Sequence, residues 1–347
     1  MEEGGHYYTV YYTSLAVGFN EDIAYRHAVL SQMPDEVGWL DAANLHIAQC
    51  TFQSERNLNG VTQGIPPNWR YLVEYGLHSL PGQSLNANTR SSAYQRQHTT
   101  QALAKEDAAS LEFGLLLHRL GDTYAHSKID GESTMYTVSG PDEFCASNPF
   151  TSIGHGHRNH DPDYAFLRPP LFFSYVENLY TVLHNKLQEI GSKNYRRGVS
   201  ARPYHQVEND FKYTFTQLEN TVKQSYRIAN EGIPAIGRGY GARAPEIDKE
   251  QKARWLIAFI RSATIRNLQI TMKPYEPEKH EGLTLNQFLG QHPELKEINI
   301  NRNSIEQAVI KAIPSEATPP KTMYEKALEG AGWVENEIRG LYGIARH

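Results

Sequence analysis

The sequence predicts an all-α fold, a multi-helix bundle arranged around a cluster of His and Asp side chains. Residues 171–190 carry apolar side chains at helical spacing, which is typical of a helix with one face in a core. Residues 206–230 and 247–272 have the length and pattern of two further long helices. Asn20 precedes two acidic residues, an order typical of a helix N-terminus. Helical segments therefore dominate the chain, which favours the all-α class.

The first hundred residues contain less regular patterns. Residues 6–17 are rich in Tyr, Thr and Val and have the propensity of a β-strand. The helix that follows Asn20 is expected to end at Pro34, and a helical pattern resumes over residues 37–49. Residues 51–100 are polar and contain many Gly and Pro residues, which predicts a long irregular connection of the kind that often serves function.

A central helix is expected over residues 100–129, followed by an irregular segment over residues 130–152. From residue 273 the composition becomes polar and rich in Pro. Short helices are expected there, near residues 285–289, 304–312 and 321–339. We therefore divide the chain into a helical domain of residues 1–272 and a helical C-terminal extension of residues 273–347 that packs on it.

Composition excludes several classes of protein. The formal net charge of −5, from 34 basic and 39 acidic residues, argues against a general nucleic-acid binder that works through bulk charge. A nuclease whose metal ions bind the phosphate is not excluded. Two cysteines, Cys50 and Cys145, are too few for a disulfide scaffold and argue against a Cys-based zinc finger.

Targeting segments are not evident in the sequence. The N-terminus has no basic stretch followed by an apolar one, so no secretory signal peptide is predicted. The most apolar runs, at residues 113–117 and 255–260, are far shorter than the roughly 20 residues that a transmembrane helix needs. We therefore expect a soluble protein that acts in the cytoplasm or is exported by a route that needs no cleaved signal.

The strongest indication of chemistry lies in residues 112–128 of the predicted central helix. His118, Asp122 and His126 are spaced at i, i+4 and i+8, so one helix face presents two imidazoles and a carboxylate. Apolar residues occupy the opposite face. Most polar helix faces are simply solvated, but this order of His and Asp, with small residues nearby, favours a metal site.

A second group of metal-ligand residue types lies in the loop GHGHRNHDPD at residues 154–163. This composition, flanked by Gly and Pro, is more typical of a binding site than of packing, with incidental surface histidines as the alternative. The His and acidic residues of the loop are His155, His157, His160, Asp161 and Asp163. Three further candidates, His6, Asp35 and His78, are scattered along the chain. Each is uninformative alone and becomes a candidate ligand only because it completes an order of His and Asp residues.

This order of residue types resembles the zinc-dependent phospholipase C and single-strand nuclease superfamily over roughly residues 6–165. The chain is also similar to an uncharacterised bacterial branch of that superfamily in four short segments. The segments are His6-Tyr7-Tyr8, Ser31-Gln32-Met33-Pro34-Asp35, Leu120-Gly121-Asp122-Thr123-Tyr124-Ala125-His126, and Gly154-His155 with His160 and Asp163. The resemblance implies an all-helical phosphodiesterase or phosphomonoesterase with two or three clustered Zn²⁺ ions.

The resemblance also implies ligands for each ion. One ion would be held by Asp35, His78, His118 and Asp122. Asp122 would bridge to a second ion, which His6 would hold in part. The chain differs from the superfamily in two places. The segment MEEGG precedes His6, and the spacing between Asp122 and the next histidine is shorter.

The third ion would be held by His126 with a His and an acid of the loop at residues 154–163. His160 with Asp163 fits the resemblance better than His157 with Asp161, which has the spacing of a helical pair. Pro162 argues against a regular helix there. His155 lies close to the favoured pair in the sequence and joins the predicted ligands.

We therefore expect a metal-dependent phosphoesterase in which zinc lowers the pKa of a bound water toward about 7. Asp122 and Asp35 are the candidate catalytic residues, and Glu36 or Asp161 is an acid that can orient the nucleophile. The expected substrate is a phospholipid, a nucleic acid or a small phosphoester. Two alternatives stay open. One is an HD-type metal phosphohydrolase, for which His160-Asp161 supplies the adjacent pair. The other is a non-catalytic effector or binding module whose fold a metal stabilises.

Overall fold

The computed structural model describes residues 2–42, 45, 69–81, 85–128, 134–136, 161–189, 200–231, 247–275 and 282–313. All regular elements among these residues are helical, and their only extended pairings are three isolated β-bridges. The prediction of an all-α fold is therefore confirmed. In the part of the chain so described, no helix has the length and apolar character needed to cross a membrane.

The helices agree with most of the predicted ones. In chain order they are α1 (Val10–Val17), α2 (Glu21–Glu36), α3 (Trp69–Gly76), α4 (Ser92–Lys105), α5 (Leu111–Ala125), α6 (Pro169–Glu189), α7 (Tyr204–Glu231), α8 (Lys249–Leu268), α9 (Leu285–Gln291) and α10 (Arg302–Ala312). A π-helical segment, Gly4–Thr9, precedes α1, and short 3₁₀ helices lie at Ala165–Leu167 and Pro293–Glu297. The helix predicted at residues 321–339 lies outside the described residues.

Contacts divide the chain into two compact units, each built from two stretches of sequence. The first unit contains Met1–Ala28 and Asp161–Tyr275, and the second contains Val29–His160 and Glu276–His347. This division differs from the predicted boundary after residue 272. The N-terminal residues group with the long helices α6 to α8, whereas residues 282–313 group with the middle of the chain.

The first unit packs its helices around buried aromatic rings. Helix α1 lies against α6, and α7 lies against α8. The Phe211 ring contacts the rings of Tyr12 and Phe172 at centroid distances of 5.2 and 5.5 Å. The prediction of a strand at residues 6–17 was wrong, because this segment is helical throughout. Every residue from 5 to 17 is buried, so the pattern has no polar face, and burial overrides the β propensity of Tyr, Thr and Val.

The second unit brings α3, α4, α5 and α10 together. Helix α4 packs on α5, and α10 packs on both α5 and α3. The single helix predicted over residues 100–129 is two helices, because the chain turns at residues 106–110. The Ser110 hydroxyl accepts the Phe113 N–H at 3.1 Å and starts α5. Helix α5 then ends at Ala125, with His126 as its C-cap.

The segment predicted to be irregular, residues 51–100, contains α3 and the start of α4. Ser91 caps α4 by accepting the Tyr94 N–H at 3.2 Å. Ser91 also takes part in an isolated bridge with Thr134. The prediction of an irregular connection was therefore wrong over these two helices.

Helix α2 begins as predicted but ends later. Asn20 caps it, since its side-chain oxygen accepts the Ile23 N–H at 2.9 Å. The helix does not stop at Pro34 and continues to Glu36. Pro34 has no N–H to donate to the main-chain oxygen four residues earlier, and the helix ends two residues after it. After α2 the chain forms a turn at residues 38–40, so the helical pattern predicted from residue 37 does not begin there, and residues 46–49 lie outside the described residues.

Candidate metal centre

Four side chains of the second unit converge on one small region. His118 and Asp122 lie one turn apart on α5 and are 0 % and 1 % exposed. His78 follows the end of α3 by two residues and is also buried. Asp35 lies in the last turn of α2, and its side chain is 30 % exposed. Asp35 is therefore the member of the cluster on the solvent side.

The facing atoms of this cluster are close enough to share one cation. The carboxylate Oδ2 of Asp122 lies 3.2 Å from His78 Nδ1 and 3.2 Å from His118 Nε2. These two nitrogens are themselves 3.2 Å apart. The Oδ1 of Asp35 lies 3.7 Å from His118 Nε2 and 3.9 Å from His78 Nδ1. All four side chains thus direct one nitrogen or oxygen atom into the same space.

The outer nitrogens of both rings bind main-chain carbonyl oxygens. His118 Nδ1 lies 2.7 Å from the Ser31 oxygen, and His78 Nε2 lies 2.8 Å from the Leu40 oxygen. A carbonyl oxygen only accepts hydrogen bonds, so each outer nitrogen must carry the proton. The inner nitrogens of the neutral rings therefore present lone pairs to the cluster. Metal-binding histidines commonly have this arrangement, because the outer bond fixes the tautomer and the orientation of the ring.

The spacing of the four atoms fits a small divalent ion. Zinc binds imidazole nitrogen and carboxylate oxygen at about 2.0–2.2 Å, usually with tetrahedral geometry. The ligand atoms of such a tetrahedron are about 3.3–3.6 Å apart, since an edge is about 1.6 times the bond length. The distances of 3.2–3.9 Å in the cluster bracket this value. Asp35, His78 and His118 form one potential ligand group.

The same proximity shifts the pKa values of the cluster. Burial opposes a charge on His78, but the hydrogen bond and charge of Asp122 and the charge of Asp35 raise its pKa to about 9. Burial lowers the pKa of His118 to about 4, because desolvation outweighs the attraction of Asp122. Burial also raises the pKa of Asp35 well above its ordinary value, against the attraction of His78.

Close packing of α5 on α2 sets the position of His118. A Cβ atom on Gly114 would overlap the Leu30 Cβ and lie 2.8 Å from its Cδ1. Leu30 immediately precedes Ser31, whose main-chain oxygen accepts the hydrogen bond of His118. Gly114 thus permits the approach that the contact between His118 and the Ser31 oxygen requires.

Arg119 holds the end of α3, from which His78 projects. Its guanidinium donates to the main-chain oxygens of Tyr75 and Gly76, the latter at 2.7 Å. It also donates to side chains of α4, to Thr99 at 2.9 Å and to Gln95 at 2.6 Å. Arg119 is completely buried, so these bonds join the segment before His78 to the helix of His118 and Asp122.

Two further features shape the approach to the cluster. Ser79, next to His78, has a φ of 51°, a left-handed conformation that is uncommon for a residue with a side chain and occurs often near functional sites. The Gln32 amide donates to Asp35 Oδ2 at 3.5 Å and to Glu36 Oε1 at 3.4 Å. Gln32 therefore helps to turn the other oxygen of Asp35 toward the histidines.

His126 lies beside the cluster, and one of its ring nitrogens contacts the main chain. Its Nδ1 is 2.5 Å from the main-chain oxygen of His78 and so must donate to it. The same nitrogen lies 3.8 Å from Asp122 Oδ2. His126 thus supports the main chain of His78, and its coordination of a metal ion through the other nitrogen stays a prediction.

The remaining predicted ligands belong to the first unit or lie outside the described residues. His6 and Asp163 are buried residues of the first unit, and their part in a metal site stays a prediction. His155, His157 and His160 lie outside the described residues. Asp161, the alternative acid, pairs with Lys249 at 2.5 Å. Sequence reasoning missed Arg119 and the two carbonyl acceptors, since main-chain acceptors leave no mark in the residue types.

Comparison with known proteins locates this site within one protein family. A family model with the description "Family of unknown function (DUF6765)" matches residues 1–201. The match includes Asp35, His78, His118 and Asp122. No curated protein and no solved structure matches the chain.

Proposed function

The chain belongs to the DUF6765 family, and we propose that it is a metal-dependent hydrolase, with zinc as the metal and a phosphoester as the substrate. The observation that carries the proposal is the convergence of two imidazole nitrogens, 3.2 Å apart, on an Asp122 oxygen at 3.2 Å and an Asp35 oxygen at 3.7–3.9 Å from them. Four acceptor atoms in one largely buried space need a positive charge among them, which a metal ion or a proton supplies. The ligand types and their spacing favour Zn²⁺ over Mg²⁺ or Ca²⁺, which prefer sites made of oxygen.

Three of the four side chains serve best as permanent ligands. His78, His118 and Asp122 are almost completely buried and hold one another by direct contacts. Three protein ligands and an open fourth position are typical of catalytic zinc sites. In such a site zinc supplies a Lewis acid and lowers the pKa of a bound water toward about 7.

Asp35 is suited to handle the proton of that water. Its side chain is the exposed one of the four, and its carboxyl pKa is raised, mainly by burial. A carboxylate with a pKa closer to the working pH both accepts and returns a proton more readily than an ordinary one. Asp35 thus acts as a general base, while Gln32 fixes its orientation through Oδ2.

The substrate class rests on chemistry and on the resemblance to the phospholipase C and nuclease superfamily. A zinc ion held by His78, His118 and Asp122 would supply an activated water and would neutralise charge on the phosphoryl oxygens, which suits the hydrolysis of phosphoesters. Phospholipids, nucleic acids and small phosphoesters all share this group. We therefore propose the phosphoester bond itself as the target. Assays on different substrates identify the group that this bond joins.

A second function is favoured by the position of Asp35, whose Oδ1 lies 3.7 Å from His118 Nε2. If Asp35 also binds the ion, four protein ligands complete a tetrahedron and leave no open position. Structural zinc sites have that closed coordination. The alternative is then a non-catalytic binding or effector module in which the metal stabilises the fold.

The test combines metal analysis with an assay on a chromogenic bis-phosphodiester. The proposal expects stoichiometric zinc and turnover, both lost in His118→Ala and Asp122→Asn while the fold is retained. Asp35→Asn should keep the zinc and lose turnover. His184→Ala, a half-buried residue of the first unit that stacks on Tyr180 at 5.6 Å, is the control and should change neither.

The outcomes separate the two functions. Stoichiometric zinc without turnover on phosphodiesters, phospholipids or single-stranded nucleic acid supports the structural role and contradicts the hydrolase. In that case Asp35→Asn should lower the zinc affinity. A protein without bound metal would contradict both functions.

A further inference from the structure

Three chain segments of the second unit meet just beyond the C-terminal end of α5. Ser91 and Ser127 form isolated bridges with Thr134 and Met135, respectively. The Met135 N–H donates to the Arg90 oxygen at 2.9 Å, and the Lys128 N–H donates to the Thr134 oxygen at 2.8 Å. Arg90, Lys128 and Thr134 therefore lie on three neighbouring segments of the main chain.

Arg96 reaches the same region from the first turns of α4. Its guanidinium donates to the Ser127 hydroxyl at 2.7 Å and lies 4.0 Å from the centre of the Tyr124 ring. Burial lowers the pKa of the Arg96 guanidinium, which indicates that water solvates it poorly. The aromatic ring and the hydroxyl thus hold Arg96 in one orientation.

Three hydrogen-bond donors of this region are buried and have no partner among the described residues. They are the Nε of Arg90, the Nε of Arg96 and the hydroxyl of Thr134. Buried donors without a partner are rare in folded proteins and commonly mark a position that an ion or water fills. Within the described part of the chain, neither arginine has a carboxylate within ion-pair distance, whereas Arg202 lies 2.9 Å from Asp210.

The unsatisfied groups have the chemistry of an oxyanion site. Two guanidinium groups supply positive charge and planar pairs of N–H donors, which match the oxygens of a phosphate. A threonine hydroxyl adds a further donor. A neutral or cationic ligand would leave the charge of the half-buried arginines uncompensated.

Contacts connect this region to the metal centre. Ser127, the partner of Arg96, follows His126 in the chain. His126 in turn binds the main-chain oxygen of His78 and lies 3.8 Å from Asp122 Oδ2. Two adjacent residues therefore separate Arg96 from the candidate ligands, a suitable place for a group that binds part of a substrate.

We infer that Arg90, Arg96 and Thr134 form a binding site for a phosphoryl oxyanion beside the metal centre. The identification of this anion as the phosphoryl group of the substrate rests on the proposed function, but the existence of the site does not. In the hydrolase the site positions the phosphoester and stabilises its charge. It raises the affinity for the substrate without taking part in proton transfer.

Calorimetric titration of the full chain, loaded with zinc, with inorganic phosphate tests the inference. Arg90→Gln and Arg96→Gln should each raise the dissociation constant about tenfold or more, since a charge-assisted bond is lost. Both variants should keep the zinc content of the wild type. Arg266→Gln is the matched control, because Arg266 also stacks on a tyrosine, Tyr213 at 4.2 Å, but belongs to the first unit. It should bind phosphate as the wild type does.

Kinetics distinguish failure of this inference from failure of the proposed function. With a phosphodiester substrate, Arg90→Gln and Arg96→Gln should raise KM while zinc content and the melting temperature stay unchanged. Arg96→Lys, which keeps the charge, should recover part of the affinity. Equal phosphate affinity in the wild type and both glutamine variants would overturn the inference, even if zinc and turnover persist. Absence of turnover with phosphate binding that depends on the arginines would overturn only the hydrolase.

Discussion

The Nε2 of His118 lies 3.2 Å from the Nδ1 of His78, although each ring donates its other N–H to a main-chain carbonyl. Two neutral rings in this orientation direct lone pairs at each other and at Asp122. A positive charge must therefore lie between them. In the metal-free protein that charge is a proton on His78. Burial opposes this proton, but Asp122 and Asp35 raise the pKa of His78 to about 9. A metal ion occupies the same space only by displacing this proton.

Zinc binding should therefore depend on pH. We expect the apparent dissociation constant for Zn²⁺ to fall about tenfold for each pH unit between about pH 6.5 and 8.5, because one proton leaves His78 for each ion bound. Competition with a chromogenic chelator measures the constant, and calorimetry in buffers of different ionisation enthalpy counts the protons. An affinity independent of pH in this range would contradict the shared position of proton and metal.

The stability of the metal-free protein should fall as the pH rises above about 6.5. The folded-state pKa of His78, about 9, exceeds its ordinary value of 6.5, so the protonated ring stabilises the fold below 6.5 and this contribution is lost as the pH rises through 9. Below about pH 6.5 the lowered pKa of His118 and the raised pKa of Asp35 have opposite effects on stability, which offset each other. Thermal unfolding with a chelator present measures the loss above about pH 6.5.

Two controls accompany this pH profile. His78→Gln should remove the loss of stability above about pH 6.5, since no ring proton is left to dissociate. Zn²⁺ in excess should also remove that loss in the wild type, because the ion replaces the proton and binds the folded state. A midpoint that stays constant from pH 6.5 to 9 with the chelator would argue against a protonated His78.

Gly114→Ala should destabilise the protein and weaken zinc binding together. The added methyl group would overlap Leu30 and push α5 away from α2, at a cost of about 1–3 kcal/mol of unfolding free energy. His118 would then lose its contact with the Ser31 oxygen. Chemical denaturation and zinc titration measure the two effects.

Gly290→Ala is the matched control for that substitution. Gly290 lies in helix α9, and a Cβ there meets no atom within 4 Å. This variant should be as stable as the wild type or more stable by up to about 1 kcal/mol, because alanine favours the helix. Equal effects of the two substitutions would show that the approach of α5 to α2 is not tight at Gly114.

Arg119→Lys should lower zinc affinity more than its exposed counterpart Arg254→Lys. Lysine keeps the charge but cannot reach the two carbonyls that end α3 and the two side chains of α4 at once. His78 should then lose its fixed position. Zinc titration measures the affinity, and crystallography of the variant shows the position of the ring. Unchanged affinity in Arg119→Lys would limit Arg119 to a role in packing.

The sequence indicates part of the candidate site through local spacing. One helical turn separates His118 from Asp122, and the two residues share a helix face whatever else the chain does. Asp35 and His78 have no such local pattern, because each lies at the end of a different helix and only the tertiary fold brings them to α5. Their selection depended on the resemblance to a known superfamily.

The incorrect predictions have physical reasons. Residues 6–17 show no helical periodicity because every face of this segment is buried, so its Tyr and Val content was misleading. The break before α5 was detectable from Ser110, a favoured capping residue three positions before Phe113, but the apolar pattern on both sides concealed it. Pro34 did not end α2 at once: it lacks the N–H that would bond the main-chain oxygen four residues earlier, and the helix ends two residues later, at Glu36.

The two carbonyl groups that orient the histidines belong to the main chain and exist whichever side chains occupy residues 31 and 40. A substitution at either position leaves the acceptor atom in place. Gain or loss of a single residue between them would instead shift one carbonyl away from its ring. Evolution of this site should therefore tolerate exchanges of residue type at Ser31 and Leu40 and conserve the length of the stretch between them, so that deletion there is the more damaging change.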